Sequence, residues 1–254
     1  MTHEAMTKQD IKDLCGAFRD GLRSILGGKL HGVYLFGAVA FPGPAPTGDI
    51  DFHVILGQQL TSDERAALER LHVSLGGVMD GYYLLLEDAR QDVPPRSQMW
   101  AGAVDHSWAL HRQHIRSGRC IVLHGPDPLE IYPAPSWTEL EEALLVELQY
   151  VEEHLSDYPA YCILNLCRLV HSFETGDVVV SKASSAAWAV GAIPEWSDLV
   201  ELALESFAGR ATSADEPMML EGVKELHRMA CRRIGESRAG REAGSMGSAL
   251  DTGA

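Results

Sequence analysis

The sequence predicts an α+β protein in two domains: a small mixed sheet with flanking helices, then an all-α helical bundle. Three observations predict it. Runs of strand composition occur only in the first half, and helical spacing fills the second. A proline-rich stretch, HGPDPLEIYPAPS over 124–136, divides the two. At 254 residues and 46% hydrophobic content, the chain can bury two cores of ordinary size. The expected boundaries are 1–130 for the first domain, 136–236 for the second and 237–254 for a tail.

Each element follows from a local signal. Ile11, Leu14, Cys15, Phe18, Leu22 and Ile25 recur at helical spacing, and Gly27 and Gly28 stop the run. VYLFGA (33–38) and DIDFHVIL (49–56) have strand composition, separated by a loop holding Pro42, Gly43, Pro44 and Pro46. Thr61 to Glu64 fits a capping box ahead of ERAALERLHVSL, and DGYYLLL (80–86) reads as a third strand. SWALHRQHIRSG predicts a helix ending at Gly118, followed by a short strand in CIVLHG. A second capping box, Ser136 to Glu139, opens the second domain. Helices are expected there over 137–154, 159–175, 182–190, 196–208 and 217–234, with Gly176 closing the second and Ser181 capping the third. From Ser237 onward, SRAGREAGSMGSALDTGA is rich in Gly, Ser and Ala and is expected to be disordered.

Composition excludes several classes. No apolar run approaches the roughly 20 residues of a bilayer span, and MTHEAMTKQD lacks the basic-then-apolar order of a signal peptide. A soluble, cytoplasmic protein is expected, with no membrane partner. The five cysteines, Cys15, Cys120, Cys162, Cys167 and Cys231, are scattered and read as reduced core residues rather than a disulfide framework or a zinc knuckle. A formal charge of −15 argues against a nucleic-acid partner, because phosphate binding needs clustered Lys and Arg, and favours a cationic one.

The chemistry concentrates in FGAVAFPGPAPTGDIDFHV, residues 36–54. Asp49 and Asp51 are two apart, so in a strand they share a face, where two carboxylates repel unless a cation lies between them. Two other patterns carry less. His111 and His114 are three apart on a helix, but they lack the glutamate of a zincin and show no third ligand in the sequence. Asp105-His106-Ser107 holds the letters of a hydrolase triad, yet contiguous residues cannot converge in that geometry.

YLFGAVAFPGPAPTGDIDFHV resembles the signature of the polymerase-β-like nucleotidyltransferases: a strand, a glycine turn, then Asp-x-Asp opening the next strand. In the second half, ILNLCRLVHSFETGDVVVSKASSAAWA (163–189) is similar to the helical domain of the aminoglycoside (3″)(9) adenylyltransferases, which adenylylate streptomycin and spectinomycin. The resemblance spans about residues 30–235 and marks the first domain as a nucleotidyltransferase domain. It implies transfer of AMP from ATP, with Mg2+, to a hydroxyl of a small cationic acceptor of the aminoglycoside kind, hence antibiotic resistance; a monomer is expected. Another hydroxylated small molecule, or a noncatalytic binding protein that keeps the fold, stays open as an alternative.

The resemblance also implies roles. Asp49 and Asp51 would hold magnesium, which takes one or two protein carboxylates beside phosphate and water. Asp80 stands where the family has a glutamate acting as general base; Glu87 and Asp105 are the alternatives. Lys182, at a helix N-terminus, would bind the triphosphate across a cleft between the domains, supported by Arg168. Trp100 and Asp157 match residues that contact the acceptor. Gly37 and Ala38 form the glycine turn, where the family has Gly-Ser, and Gly48 replaces a usual serine; Thr47 could partly restore the missing hydroxyls. Such a loss would cost a few kcal/mol of transition-state stabilisation, at about the usual strength of charge-assisted hydrogen bonds.

Overall fold

The computed structural model describes residues 7–42, 48–212 and 215–251. The chain divides into two compact units, Met1–Ala143 and Leu144–Ala254.

In the first unit, helix α1 (Lys8–Leu26) starts at a Thr7–Asp10 capping box and ends at Gly27, whose φ of 52° suits a residue without Cβ. Strands β1 (Leu30–Leu35), β2 (Ile50–Leu56), β3 (Met79–Leu85) and β4 (Ile121–His124) form one sheet in the order β3-β2-β1-β4. β1 runs antiparallel to both its neighbours and β2 parallel to β3, so the sheet is mixed, as expected. The parallel pair is joined through α2 (Ser62–Ser74), which opens on the expected Thr61–Glu64 capping box. A single turn, α3 (Leu86–Ala89), and helix α4 (Trp108–Arg116) follow.

The alternating side chains of the strands feed two cores. On one face Ile50, Phe52, Val54 and Tyr83 pack with Phe18 and Leu22 of α1 and Leu68 of α2. On the other, Ile55 and Leu84 pack with Trp108 and Ile115 of α4 and with Tyr132. β1 ends three residues earlier than its composition suggested, because Gly37 takes a φ of 64° and turns the chain into a short 3-10 segment, Gly37–Ala40. Gly81 is required by the pairing itself: a Cβ there would lie 1.9 Å from the Phe52 carbonyl oxygen.

The expected domain boundary at 130–136 is not where the units part. Helix α5 (Trp137–Glu153) begins on the expected Ser136–Glu139 capping box, but its first two turns belong to the first unit. The reason is Arg112. This fully buried guanidinium pairs with Asp92 at 2.9 Å and with Glu139, and donates to the Pro133 carbonyl at 3.4 Å. A buried charge needs such partners, so the start of α5 is held where Arg112 is.

The second unit is all-α, as expected. Helix α6 (Pro159–Thr175) is its axis, with α7 (Lys182–Ala192), α8 (Ser197–Phe207) and α9 (Glu216–Asp251) packed on it. Gly176 closes α6 in the left-handed conformation and the Ser181 hydroxyl caps α7, both as predicted. The tail expectation fails: α9 continues through 237 to Asp251. The Ser237 hydroxyl donates to the Phe173 carbonyl at 2.6 Å, and an already nucleated helix extends at low cost through the Ala, Arg and Glu among the glycines. The cysteines are free; Cys15, Cys162 and Cys167 are buried and Cys120 half-buried, but Cys231 is exposed rather than in a core. Among the described residues no helix is long and apolar enough to cross a membrane.

Candidate active site

The first unit gathers three carboxylates at one end of the sheet. In the parallel register, Asp51 of β2 lies directly opposite Asp80 of β3, so their side chains project from the same face, and Asp49 is two residues before Asp51. Partial burial of its carboxyl and, next, the charge of Asp49 raise the pKa of Asp80; the nearby His111 and His72 imidazoles and the Gly81 amide pull it back. The Asp80 side chain is solvent-exposed, so water screens these effects. Asp49 is exposed and Asp51 half-buried.

Gly37 shapes this end of the site. The Phe36 amide donates to the Asp51 carbonyl at 3.0 Å, which folds the turn back over β2. A Cβ on Gly37 would stand 1.7 Å from Asp51 Oδ2, so the turn touches the carboxylate at a point where only glycine fits. Ala38 continues the 3-10 turn. Among the described residues nothing lies within 4 Å of a Cβ built on Gly48, and Thr47 lies outside the described residues. This converging set of hard oxygen ligands, beside a turn without side-chain bulk, fits a divalent cation carrying phosphate oxygens.

The alternatives to Asp80 separate from it. Glu87 follows β3 at the Leu56–Leu85 end of the sheet, the end opposite the three carboxylates. Asp105 is only 1% exposed and accepts from two imidazoles through one oxygen: Oδ2 is 3.2 Å from His53 Nε2 and 2.9 Å from His111 Nδ1. Despite burial, which alone would raise it, those imidazoles hold the Asp105 carboxyl well below the usual range. Glu87 is thus at the wrong end of the sheet, and Asp105 is buried against two imidazoles rather than exposed as Asp80 is. The sequence reading missed this pairing: His111 does have companions, but they are His53 and Asp105, not His114. The signal was His53, which shares the odd-numbered face of β2 with Asp49 and Asp51.

Trp100, partly exposed, has its ring 5.8 Å from His72 and 5.9 Å from Tyr83. These are its nearest aromatic neighbours, along the β3 edge on the α2 side of the sheet.

In the second unit, Lys182 is the first residue of α7, and its ammonium sits over the rings of Tyr161 at 4.2 Å and Phe207 at 5.0 Å. These ring contacts hold the ammonium at a helix N-terminus. Arg168 of α6 reaches Glu147 at 3.9 Å. Burial first, then Glu147, push the Tyr161 hydroxyl up to about 12. Asp157 is exposed in the turn before α6, its amide donating to His154 at 3.1 Å.

Residues 133–233 match the family described as the C-terminal domain of aminoglycoside adenylyltransferase. The chain is 22% identical over 213 residues to the spectinomycin 9-adenylyltransferase of Enterococcus faecalis, spanning 74% of this chain and 84% of that one. It is 25% identical over 214 residues to that of Staphylococcus aureus, spanning 74% and 82%. A crystal structure of a spectinomycin adenyltransferase from Enterococcus, with ATP and spectinomycin, shares the fold at a TM-score of 0.69 and 18% identity, covering 88% of this chain and all of that one. The chain is therefore similar, in fold and across both units, to the aminoglycoside adenylyltransferases.

Proposed function

We propose that this aminoglycoside adenylyltransferase-like chain is an enzyme that transfers AMP from ATP to a hydroxyl of an aminoglycoside-type acceptor, spectinomycin being the first to test. The observation that carries the reading is the β2/β3 register, which pairs Asp51 with Asp80 on one face beside Asp49. The similarity to spectinomycin adenylyltransferases supports the class of reaction and of acceptor.

Asp49 and Asp51 would hold magnesium, which supplies neutralisation of charge on the α-phosphate and on the leaving pyrophosphate. Gly37 keeps the turn clear so that phosphate oxygens can approach Asp51. Asp80 takes the proton of the acceptor hydroxyl as its oxygen attacks the α-phosphorus and the bond to pyrophosphate breaks. Its raised pKa makes it a stronger base than an ordinary aspartate. Lys182 and Arg168 contribute positive charge toward the triphosphate, and Trp100 and Asp157 contact the acceptor.

The experiment is an incubation of the purified chain with α-labelled ATP, Mg2+ and either spectinomycin or streptomycin. Labelled acceptor should form only with magnesium, and not with Asp49→Asn or Asp51→Asn. If the chain binds an acceptor but forms no adduct with any nucleoside triphosphate, it is a binding protein on this fold, in keeping with the hydroxyls missing at Ala38 and Gly48.

A further inference from the structure

His53, Asp105 and His111 form a cluster that the proposed transfer chemistry does not use. Each offers one ligand atom, all within 4.8 Å of one another. The three come from separate places in the chain: His53 from β2, Asp105 from the segment before α4, and His111 from α4 itself. His53 is 0% exposed and Asp105 1%, whereas the His111 side chain is 26% exposed and leaves one side of the cluster open.

As a purely hydrogen-bonded group the cluster is incomplete. Both imidazoles press on the same oxygen, Asp105 Oδ2, while Asp105 Oδ1 and His53 Nδ1 are buried with no hydrogen-bond partner. Native interiors satisfy nearly all such atoms, so Asp105 Oδ1 and His53 Nδ1 mark a polar cluster that hydrogen bonding alone does not complete. The spacing suits an ion as well. Bonds of about 2.0–2.1 Å in a tetrahedron put neighbouring ligand atoms about 3.3 Å apart. The observed separations from Oδ2 are 3.2 and 2.9 Å.

We propose that His53, Asp105 and His111 bind a zinc-class transition-metal ion, with a ligand set distinct from Asp49, Asp51 and Asp80 but further along the same face of β2. Two imidazoles and one carboxylate favour zinc, cobalt or nickel, whereas magnesium and calcium require oxygen ligands. With three protein ligands the ion retains a fourth position, on the open side at His111. It ties β2 to α4 and to the segment between β3 and α4, and sets a second positive charge in the neighbourhood of Asp80.

The test uses the full chain, free of any histidine tag and stripped with chelator. Titration with Co2+ should produce the visible absorption bands of a tetrahedral site, and dialysis against about micromolar Zn2+ should leave about one zinc per chain. His111→Asn, partly exposed and so expected to fold, should weaken zinc binding by about 10²-fold or more, since loss of even an outer-sphere partner costs about 10- to 100-fold. Asp105→Asn should do the same, while Asp49→Asn should bind zinc as the wild type does. No cobalt bands and no retained zinc would overturn the proposal. So would zinc retained by His111→Asn and lost in Asp49→Asn, which would place the ion at the Asp49, Asp51 and Asp80 carboxylates. Because zinc binding is read without ATP or acceptor, its failure leaves the transfer assay a separate question.

Discussion

Replacing Gly37 by alanine separates folding from chemistry. The new methyl carbon would lie 1.7 Å from Asp51 Oδ2, where ordinary contact begins at 3.4 Å, so the two must part by 3.4 − 1.7, about 1.7 Å. The atoms in the way all belong to Asp51: Oδ2 and, at 2.6 Å, Cγ can swing aside, whereas Cβ at 3.1 Å must give by a few tenths of an ångström. What the fold loses is mainly the strain of a φ of 64° on a residue with Cβ, roughly 1–2 kcal/mol. The chemistry loses more. A catalytic group misplaced by about 1 Å costs about 10²-fold in rate, or about 2.7 kcal/mol of transition-state stabilisation. Gly37→Ala should therefore unfold at slightly lower urea concentration, with a native far-UV spectrum, while kcat/KM for the magnesium-dependent release of pyrophosphate falls about 10²-fold. Gly48→Ala is the control: its Cβ meets none of the described residues, so stability should stay within about 0.5 kcal/mol and the rate within a few-fold. A Gly37→Ala enzyme with wild-type kcat/KM would refute the assignment of Asp51 and the turn to the phosphate site.

Asp80→Asn should keep magnesium-ATP affinity, read by calorimetry, and lose about 10² to 10⁴ in transfer rate; full turnover would remove Asp80 as the base. Lys182→Ala should raise the Kd for ATP and leave acceptor binding measured alone unchanged. Arg112→Ala empties a fully buried side-chain site and frees the part-exposed Glu139, so denaturant unfolding should show a loss of about 2–4 kcal/mol, the usual range for large-to-small truncation. Burial lowers the pKa of His53 in the folded chain, so below about pH 6.5 the unfolded chain binds a proton that the native one refuses. Stability should then fall as pH falls, by at most about 1.4 kcal/mol per unit from this group. Urea melts in chelator at pH 7.5 and 5.5 should show a smaller pH dependence in His53→Gln, and equal slopes would contradict it.

The sequence exposed the parts of the fold that local physics decides. Capping boxes at Thr61 and Ser136, the hydroxyl cap at Ser181 and the glycine at 176 each mark a boundary within a residue or two, because caps depend on neighbours in the chain. The common face of Asp49 and Asp51 was legible from period-2 alternation. Its alignment with Asp80 was not, since strand register is a long-range property that no local signal carries. The same limit hid the partners of His111, which lie 6 and 58 residues away, counted as 111 − 105 and 111 − 53. The tail was misread because glycine content says little about a helix that inherits its nucleus from the turns before it.

The Arg112 cluster bears on how this chain can be divided. A fragment ended at 130, where composition changes, would keep Arg112 and discard both Pro133 and Glu139. It would fold around a buried guanidinium left with Asp92 alone, and its instability could be mistaken for dependence of the sheet on the helical unit. A cut after Ala143 keeps the guanidinium's partners together. Segment swaps between relatives meet the same rule: donor and recipient must agree at positions 92, 112 and 139, or the exchanged piece arrives without the counter-charge that its host expects.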